Sequence, residues 1–309
     1  MYNDGCVLLK RGIVKAERKI MYKSVNDYNK EKFGCKVYKL SIDAGFTCPN
    51  RDGTVGNKGC IFCSEQGSGE FAEGNGRITE LLCRAKKRVE NKNADGKYIA
   101  YFQAFTNTYA KSEELKRLYG EAISPDYIVG LAIATRPDCL PDETVKLLGQ
   151  LNKIKPVSVE LGFQTANPNT AKYIRRGYEN EVYFDAVKRL CKAGIEVVTH
   201  IIIGLPFETC EDAVFTTRQA VKAGSKGVKF HLLYVTKNTD LEKEYLNGKF
   251  RCLELCEYAE ILKKCIAELP PDIVVHRITG DGAKKDLIAP LWSQDKKKVL
   301  NYLNSYLKD

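Results

Sequence analysis

Apolar residues recur along this chain in short runs, and most runs are followed by a segment with the spacing of an amphipathic helix. The runs predict strands at residues 37–42, 98–103, 127–134, 157–163, 195–203 and 228–235, with a weaker seventh at 273–278. The helical spacing predicts helices at residues 77–91, 112–122, 141–151, 180–193, 211–223, 254–269 and 299–307.

Strands that alternate with helices predict an α/β fold with a parallel sheet and right-handed crossovers. Several of the strands are apolar throughout, as expected when both faces of a sheet are covered. The six clear units are too few for a complete eight-stranded barrel. A partial (β/α)6 TIM-like barrel and a doubly wound sheet both fit, and in either fold the chemistry belongs at the carboxyl ends of the strands.

Composition narrows the class of protein. The 309 residues are 44% hydrophobic and 28% charged, which is ordinary for a globular protein and excludes collagen-like and disordered chains. The sequence has no secretory signal and no apolar run of roughly 18 residues, so we expect a cytoplasmic protein without a membrane span. Most of the 12 cysteines are then expected to be reduced core residues.

One glycine-rich loop after the first strand concentrates cysteines. Cys48, Cys60 and Cys63 have spacings of eleven and two intervening residues. Structural zinc takes four ligands, whereas the next cysteine, Cys83, lies in a predicted helix and the first histidine is His200. Three thiolates suit a [4Fe–4S] cluster with one open iron. A zinc site completed by a distant residue and a set of unrelated core cysteines are the alternatives.

Several further segments accompany this loop. They are Lys39-Leu-Ser-Ile-Asp-Ala-Gly-Phe-Thr-Cys-Pro-Asn-Arg-Asp-Gly-Thr54, Gly67-Ser-Gly-Glu-Phe-Ala72, Ala134-Thr-Arg-Pro-Asp138, Glu160-Leu-Gly-Phe-Gln-Thr165, Arg176-Gly177, His200-Ile-Ile-Ile-Gly-Leu-Pro206 and His276-Arg-Ile-Thr-Gly-Asp281. Together they resemble the radical S-adenosylmethionine (SAM) superfamily, in particular its YhcC/YtqA-type subgroup, which is related to the elongator catalytic subunit. The cysteine spacing is wider than the CxxxCxxC that is common in the superfamily.

The strands and the charge divide the chain into a basic N-terminal extension (1–36), a partial-barrel radical SAM domain (37–283) and a basic C-terminal extension (284–309), and the resemblance runs from about Tyr28 to Trp292. It implies that Cys48, Cys60 and Cys63 ligate a [4Fe–4S] cluster and that SAM binds the open iron. An electron donor such as flavodoxin or ferredoxin would reduce the cluster, and cleavage of SAM would yield a 5′-deoxyadenosyl radical that abstracts hydrogen from a substrate.

The resemblance also implies SAM contacts at strand ends. Gln103, Thr106 and Asn107 follow the second strand, where related enzymes bind the SAM amino group, although the Gly-Gly-Glu-like turn of those enzymes is absent here. An ordinary polar loop is the alternative. Arg136 follows the third strand and could hold the SAM carboxylate or a substrate anion, or else form a structural salt bridge.

The later strands supply further candidates. Glu160 interrupts an apolar strand, and a buried acid needs a partner, such as a SAM ribose hydroxyl or a basic side chain. Gln164 and His200 are expected to bind the cofactor too, with a satisfied core histidine as the alternative for His200. His276 and Arg277 precede a loop of small residues and could bind SAM or substrate.

The net charge of +10 lies mainly at the two ends of the chain. Residues 1–39 hold ten lysines and arginines against four acids, and residues 284–309 hold six against three. Basic segments bind phosphates, so tRNA is the favoured substrate, with the C5 side chain of the wobble uridine as a candidate position. The alternatives are a radical SAM enzyme on a porphyrin-like or amino-acid substrate, and a non-enzymatic metal- or RNA-binding protein.

Overall fold

A computed structural model describes residues 21–67, 69–92, 96–280, 282 and 284–308 of the chain. The strands are β1 (Lys23–Ser24), β2 (Tyr38–Ile42), β3 (Tyr98–Phe102), β4 (Ile128–Thr135), β5 (Val157–Gln164), β6 (Glu196–Ile203), β7 (Gly227–Leu232), β8 (Val235–Thr236), β9 (Val274–Arg277) and β10 (Leu287–Ala289). The helices are α1 (Val25–Phe33), α2 (Ile78–Lys87), α3 (Ser112–Ile123), α4 (Asp142–Asn152), α5 (Pro168–Tyr173), α6 (Asn180–Lys192), α7 (Cys210–Ala223), α8 (Asp240–Leu246), α9 (Leu255–Ala267) and α10 (Lys296–Tyr306).

Eight of these strands form one parallel sheet in the order β1-β9-β7-β6-β5-β4-β3-β2. From β2 to β7 each strand pairs with the next along the chain, because a helical crossover returns the backbone to the same end of the sheet. The sheet curls into a half barrel, which confirms the expected TIM-like partial-barrel fold. All of its strands therefore end at one rim.

The outer face of the sheet is apolar and is covered by helices. Ile42, Phe102 and Ile133 alternate with inward-facing residues along their strands and are fully buried. They belong to the same buried cluster as Leu82 of α2 and Tyr119 of α3. Burial of one such side chain contributes roughly 1.5–3 kcal/mol, so this layer holds the strands in register.

The predicted sixth strand, residues 228–235, is divided between two sheets. β7 ends at Leu232, and Val235 pairs with Ala289 in a separate antiparallel ladder of β8 and β10. A continuous apolar run does not reveal this change of partner, because both halves are buried.

Part of the predicted N-terminal extension lies at the edge of the sheet. Lys23 and Ser24 pair with Val274 and Val275 of β9, and Ser24 then caps α1 by accepting a hydrogen bond from the Asp27 amide. The amide of Met21 also donates to the carbonyl of Leu307, just after α10 (3.2 Å). Residues 1–20 lie outside the described part of the chain.

The eleven described cysteines are free thiols, but only Cys139 and Cys265 are buried. The expectation that most of the cysteines are core residues was therefore wrong, because several lie on helix surfaces or in loops. Among the described residues, no helix is long and apolar enough to cross a membrane.

Candidate active site

A cavity of about 420 Å³ opens at the rim where the parallel strands end. The loops after β2, β3, β4 and β5 contribute to its wall, as do β7 and the segment after β9. Cys48, Cys60 and Cys63 line it together with Glu160. The fold therefore brings the cysteine loop and the polar strand residues predicted from the sequence to one place.

Backbone hydrogen bonds shape the cysteine loop. The carbonyl of Cys48 accepts from the Arg51 amide (2.8 Å), and the Cys63 amide donates to the Cys60 carbonyl (3.0 Å). The buried side chain of Asn50 donates to the sulfur of Cys60 (3.5 Å) and to the carbonyl of Arg175 (2.6 Å). Asn50 thus attaches the loop to the segment that follows α5, a role that is not visible from the sequence.

Arg51 fixes the far side of the same loop. Its guanidinium donates to the carbonyl oxygens of Cys63 (3.2 Å) and Ser64, and it lies over the ring of Phe105, 5.5 Å from the ring centre. Burial raises the pKa of Cys63, which Arg51 opposes. Burial also raises the pKa of Cys60 to about 12. Both thiols are therefore protonated near neutral pH, and a bound metal would displace those protons.

The three thiols suit a cluster better than a single metal ion. Within the described ranges, no group of three or more cysteine, histidine or acidic side chains is arranged to hold one metal ion. Tetrahedral zinc requires four such ligands around one point. In an iron–sulfur cluster each thiolate binds a separate iron, so the ligands need only line a common cavity, as these three cysteines do.

Glu160 lies inside the barrel, where four side chains contact its carboxylate. Its Oε2 atom accepts from the Tyr101 hydroxyl (2.8 Å) and from Nζ of Lys229 (2.8 Å), and lies 2.7 Å from Nε2 of His200. Lys39 forms an ion pair with its other oxygen. The base that Glu160 was expected to need is therefore supplied by two lysines of β2 and β7.

This cluster perturbs the acidity of its members. Burial acts to raise the pKa of Glu160, but Lys229 and Lys39 hold it well below its usual range. Burial lowers the pKa of Lys229 to about 8, and burial together with the Lys229 charge lowers the pKa of His200 to about 4. Near neutral pH the carboxylate is charged and His200 is neutral.

Several of the residues predicted to bind SAM line the cavity. Gln103, Thr106, Gln164 and Arg136 all line it. Arg136 makes two hydrogen bonds to Asp138 (2.9 and 2.7 Å), so its guanidinium is engaged in the salt bridge considered as the structural alternative.

Two predicted residues lie away from the cavity lining. Asn107 is fully buried, and its amide nitrogen donates to the carbonyls of Phe102 (3.2 Å) and Ala134 (2.7 Å), which joins β3 to β4. His276 lies against Gly227, where an added Cβ would come 2.7 Å from its Nε2 atom. Its neighbour Arg277 does line the cavity.

Four residues of the barrel interior were not predicted as site residues: Lys39, Tyr101, Lys229 and His231. The sequence does contain a pattern that places Lys229 and His231 of β7 in the interior. Lys229 and His231 are two residues apart in an apolar run, so they share a face, and a lysine on a covered strand needs a buried partner.

Comparison with known proteins identifies the family. Residues 52–220, more than half of the chain, match the model of the Radical SAM superfamily, and residues 225–309 match the Radical_SAM C-terminal domain. The chain belongs to the radical SAM superfamily, and the cofactors of that family are a [4Fe–4S] cluster and SAM.

Individual relatives refine this assignment. The chain is 44% identical to the uncharacterized protein YtqA of Bacillus subtilis (strain 168), over 93% of its own length and 90% of that protein. It is 35% identical to protein YhcC of Escherichia coli (strain K12), over 90% and 89% respectively. A more distant relative, the tRNA uridine(34) acetyltransferase of Methanocaldococcus infernus, is 26% identical over 50% of this chain and 29% of that protein.

Among solved structures, the fold is similar to that of the archaeal Elp3 of Methanocaldococcus infernus, with a TM-score of 0.64 and 17% identity. The match covers 87% of this chain and 63% of that chain. These relatives confirm the YhcC/YtqA-type subgroup and its relation to Elp3.

Proposed function

We propose that this chain holds a [4Fe–4S] cluster through Cys48, Cys60 and Cys63 and uses it, with SAM, to modify tRNA. The observation that carries the proposal is that the three thiols line one cavity together with the polar interior of the barrel. When bound, the two cofactors supply a 5′-deoxyadenosyl radical that abstracts a hydrogen atom from substrate.

The residues of the chain position and shield this chemistry. Gln103, Thr106 and Gln164 line the cavity and are proposed to hold polar groups of SAM. Glu160 and His200 are proposed to complete the cofactor site from the barrel interior. The curled sheet encloses the cavity and limits the access of water. Such shielding is needed because a radical would react with other hydrogen donors.

The choice of tRNA as substrate is supported by a relative and by charge. The name of the distant archaeal relative states that it acts on uridine 34 of tRNA. Lysines and arginines are concentrated in both terminal segments, where they can contact phosphates. A base that enters an enclosed cavity must leave its stack, which is easiest in a single-stranded loop such as an anticodon.

Anaerobic reconstitution tests the cofactor part of this proposal. We expect about four irons and four sulfides per chain, and 5′-deoxyadenosine from SAM when a reductant such as flavodoxin, ferredoxin or dithionite is added. Cys48→Ala, Cys60→Ala and Cys63→Ala are each expected to abolish this cleavage. Cys83→Ala is the matched control, because Cys83 is exposed on α2 and should be dispensable.

A single bound zinc, or SAM cleavage retained by any of the three cysteine variants, would contradict the cluster assignment. The wobble-uridine candidate is tested separately, by mass spectrometry of tRNA nucleosides from cells with and without the protein. Loss of one modified nucleoside in cells without the protein is expected, with its recovery on complementation. Identical nucleoside profiles would count against tRNA.

A second candidate is a radical SAM enzyme that acts on a small acidic molecule. It is favoured by one observation, the cationic side chains inside the barrel. Lys39 and Lys229 both contact Glu160, and Arg277 lies on the same cavity. Such an enzyme need not bind bulk tRNA, so salt-sensitive tRNA binding separates the two candidates.

A further inference from the structure

The interior of the barrel carries more positive than negative charge. The pKa values of Glu160, Tyr101 and His231 are shifted by three nearby cations, which are Lys39, Lys229 and Arg277. In the described part of the chain, Glu160 is the carboxylate that influences the pKa of Lys229 and of the interior histidines. Three cations therefore share one anion in a partly desolvated space, where an uncompensated charge is costly.

Arg277 is the cation that Glu160 does not neutralise. Its side chain is half-buried and lines the cavity, and within the described ranges its guanidinium has no hydrogen bond or ion pair. Next to this site, the Nε2 atom of His231 is buried and also lacks a hydrogen-bond partner among the described residues. Native proteins rarely leave such atoms unsatisfied, so both point to a ligand.

These cations are separate from those beside the cysteines. The cations that act to lower the pKa values of Cys60 and Cys63 are Arg136 and Arg51, and Arg51 donates a hydrogen bond to the Cys63 carbonyl. Arg277 lies on β9 opposite Lys229 of β7. The positive charge of Arg277 instead acts to lower the pKa values of Tyr101, Lys229 and His231. Since SAM is expected to place its carboxylate at the cluster, the cations in the barrel interior are left for another anionic molecule.

We propose that Arg277, Lys229 and His231 form an anion-binding site that takes a carboxylate or phosphate group of the substrate. The proposal rests on the radical SAM function and adds the chemical class of the substrate. A guanidinium offers two parallel N–H groups that match either anion, and a neutral imidazole can donate a third hydrogen bond. The substrate is thereby anchored at its charged end, while its remainder extends toward the cysteine rim.

Histidine NMR of the reconstituted holoenzyme tests this site without turnover. The three histidines of the chain, His200, His231 and His276, are all near Glu160, so the imidazole signals report on the barrel interior. Inorganic phosphate and succinate are titrated at constant ionic strength into ¹⁵N-histidine-labelled protein. We expect saturable shifts of the His231 signal with either anion.

Substitutions locate the binding. Arg277→Gln is expected to weaken the apparent affinity for phosphate at least tenfold, and Arg277→Lys, which keeps the charge, is expected to restore part of it. Lys226→Gln is the matched control, because it removes one positive charge from an exposed residue just before β7, away from the cavity lining, and should change the affinity less than twofold.

The same titration identifies the source of the anion. Saturation by phosphate or succinate supports the site, and a bound anion that tRNA does not displace assigns it to a small acid. A shift caused by tRNA but by neither free anion, and lost in Arg277→Gln, assigns it to a nucleotide phosphate. Non-saturating shifts that are identical in the wild type and in Arg277→Gln for all three additions would overturn the proposal. Absence of SAM cleavage by the wild type would instead overturn the proposed function. The binding experiment needs no SAM cleavage, so the two failures can be distinguished.

Discussion

Glu160 organises the interior of the barrel at the level of single residues. Its carboxylate is buried, yet Lys39, Tyr101, His200 and Lys229 all contact it. Removing one partner of a buried ion pair usually costs about 3–5 kcal/mol, because the other charge is left unpaired. Two cationic partners on different strands make this site a link between β2, β5 and β7.

The histidines near Glu160 predict that acid destabilises the protein. The pKa of His200 falls from its ordinary 6.5 to about 4 in the folded state. Between these values the unfolded chain binds a proton that the folded chain does not, so stability decreases as the pH falls through this window. Each such histidine contributes a slope of about 1.4 kcal/mol per pH unit.

The loss of stability in acid is measured as the difference in the free energy of unfolding in urea between pH 7.5 and pH 5.0. His200→Gln removes the titrating ring but can still donate to Glu160, so it should lose about 2 kcal/mol less than the wild type between the two pH values. An equal loss in both proteins would mean that His200 titrates normally in the folded state.

Residues of the site differ in how far sequence predicts them. The cysteines are recognisable because their spacing within one loop is itself the signal. Lys39 and Lys229 are not, because their partner Glu160 is 121 and 69 residues away in the chain, and only the curl of the sheet brings the three together. Asn107 lies in the expected loop, but its hydrogen bonds to two strands were not visible from position alone.

At the level of elements, strands β2 to β6 lie within one residue of the predicted bounds. Their apolar runs are long and are bounded by polar turns, which is the pattern that predicts strands best. The short elements were missed: β1 has two residues and α8 has seven, too few for a periodic signal. α1 falls in the predicted basic extension, because its sequence is mostly polar and has little of the apolar stripe that predicts a helix.

Gly67 predicts how the cysteine loop depends on its neighbour. Gly67 has a positive φ of 56°, its carbonyl accepts from the Phe105 amide, and an added Cβ would come 2.4 Å from the Phe105 ring. Gly67→Ala should therefore destabilise the protein by roughly 1–3 kcal/mol and displace the loop that carries the cysteines. Chemical denaturation measures the first effect and iron content after reconstitution the second.

Gly120→Ala is the control for this substitution. Gly120 lies in α3 with no atom within 4 Å of an added Cβ, so alanine should leave stability unchanged or raise it by up to about 1 kcal/mol. Equal stability of the two variants would show that the contact between Gly67 and Phe105 is unimportant.

For the whole molecule, chain order and strand order differ at one edge. β1 comes first in the chain, but it pairs with β9, whereas β2 forms the opposite edge of the sheet. The fold class was predictable from the alternation of elements, but this edge was not, because the pairing joins the two ends of the chain through short, irregular segments. The predicted division into a central domain with two extensions depends on the charge distribution, and charge carries no information about which strands pair.

The basic ends predict how tRNA binding responds to charge and salt. Changing Lys15, Arg18 and Lys19, which lie outside the described residues, to Glu should weaken tRNA binding at least tenfold. The slope of log affinity against log salt should fall by about 2–3. Filter binding at a series of salt concentrations measures both quantities.

The matched control changes the same number of charges on the helical layer. Lys146 of α4 and Lys188 and Lys192 of α6 are exposed, and their elements pack against the central strands. If this triple Glu variant loses as much affinity as the N-terminal one, the ends have no special role in binding RNA.

The hydrogen bond between the Met21 amide and the Leu307 carbonyl makes the described backbone almost a closed ring. A circular permutant that joins these two points with a short linker and opens the chain in an exposed loop would preserve every pair of strands in the sheet. Met21, to which residues 1–20 are attached, and Leu307, just after α10, are therefore neighbouring points on the molecule.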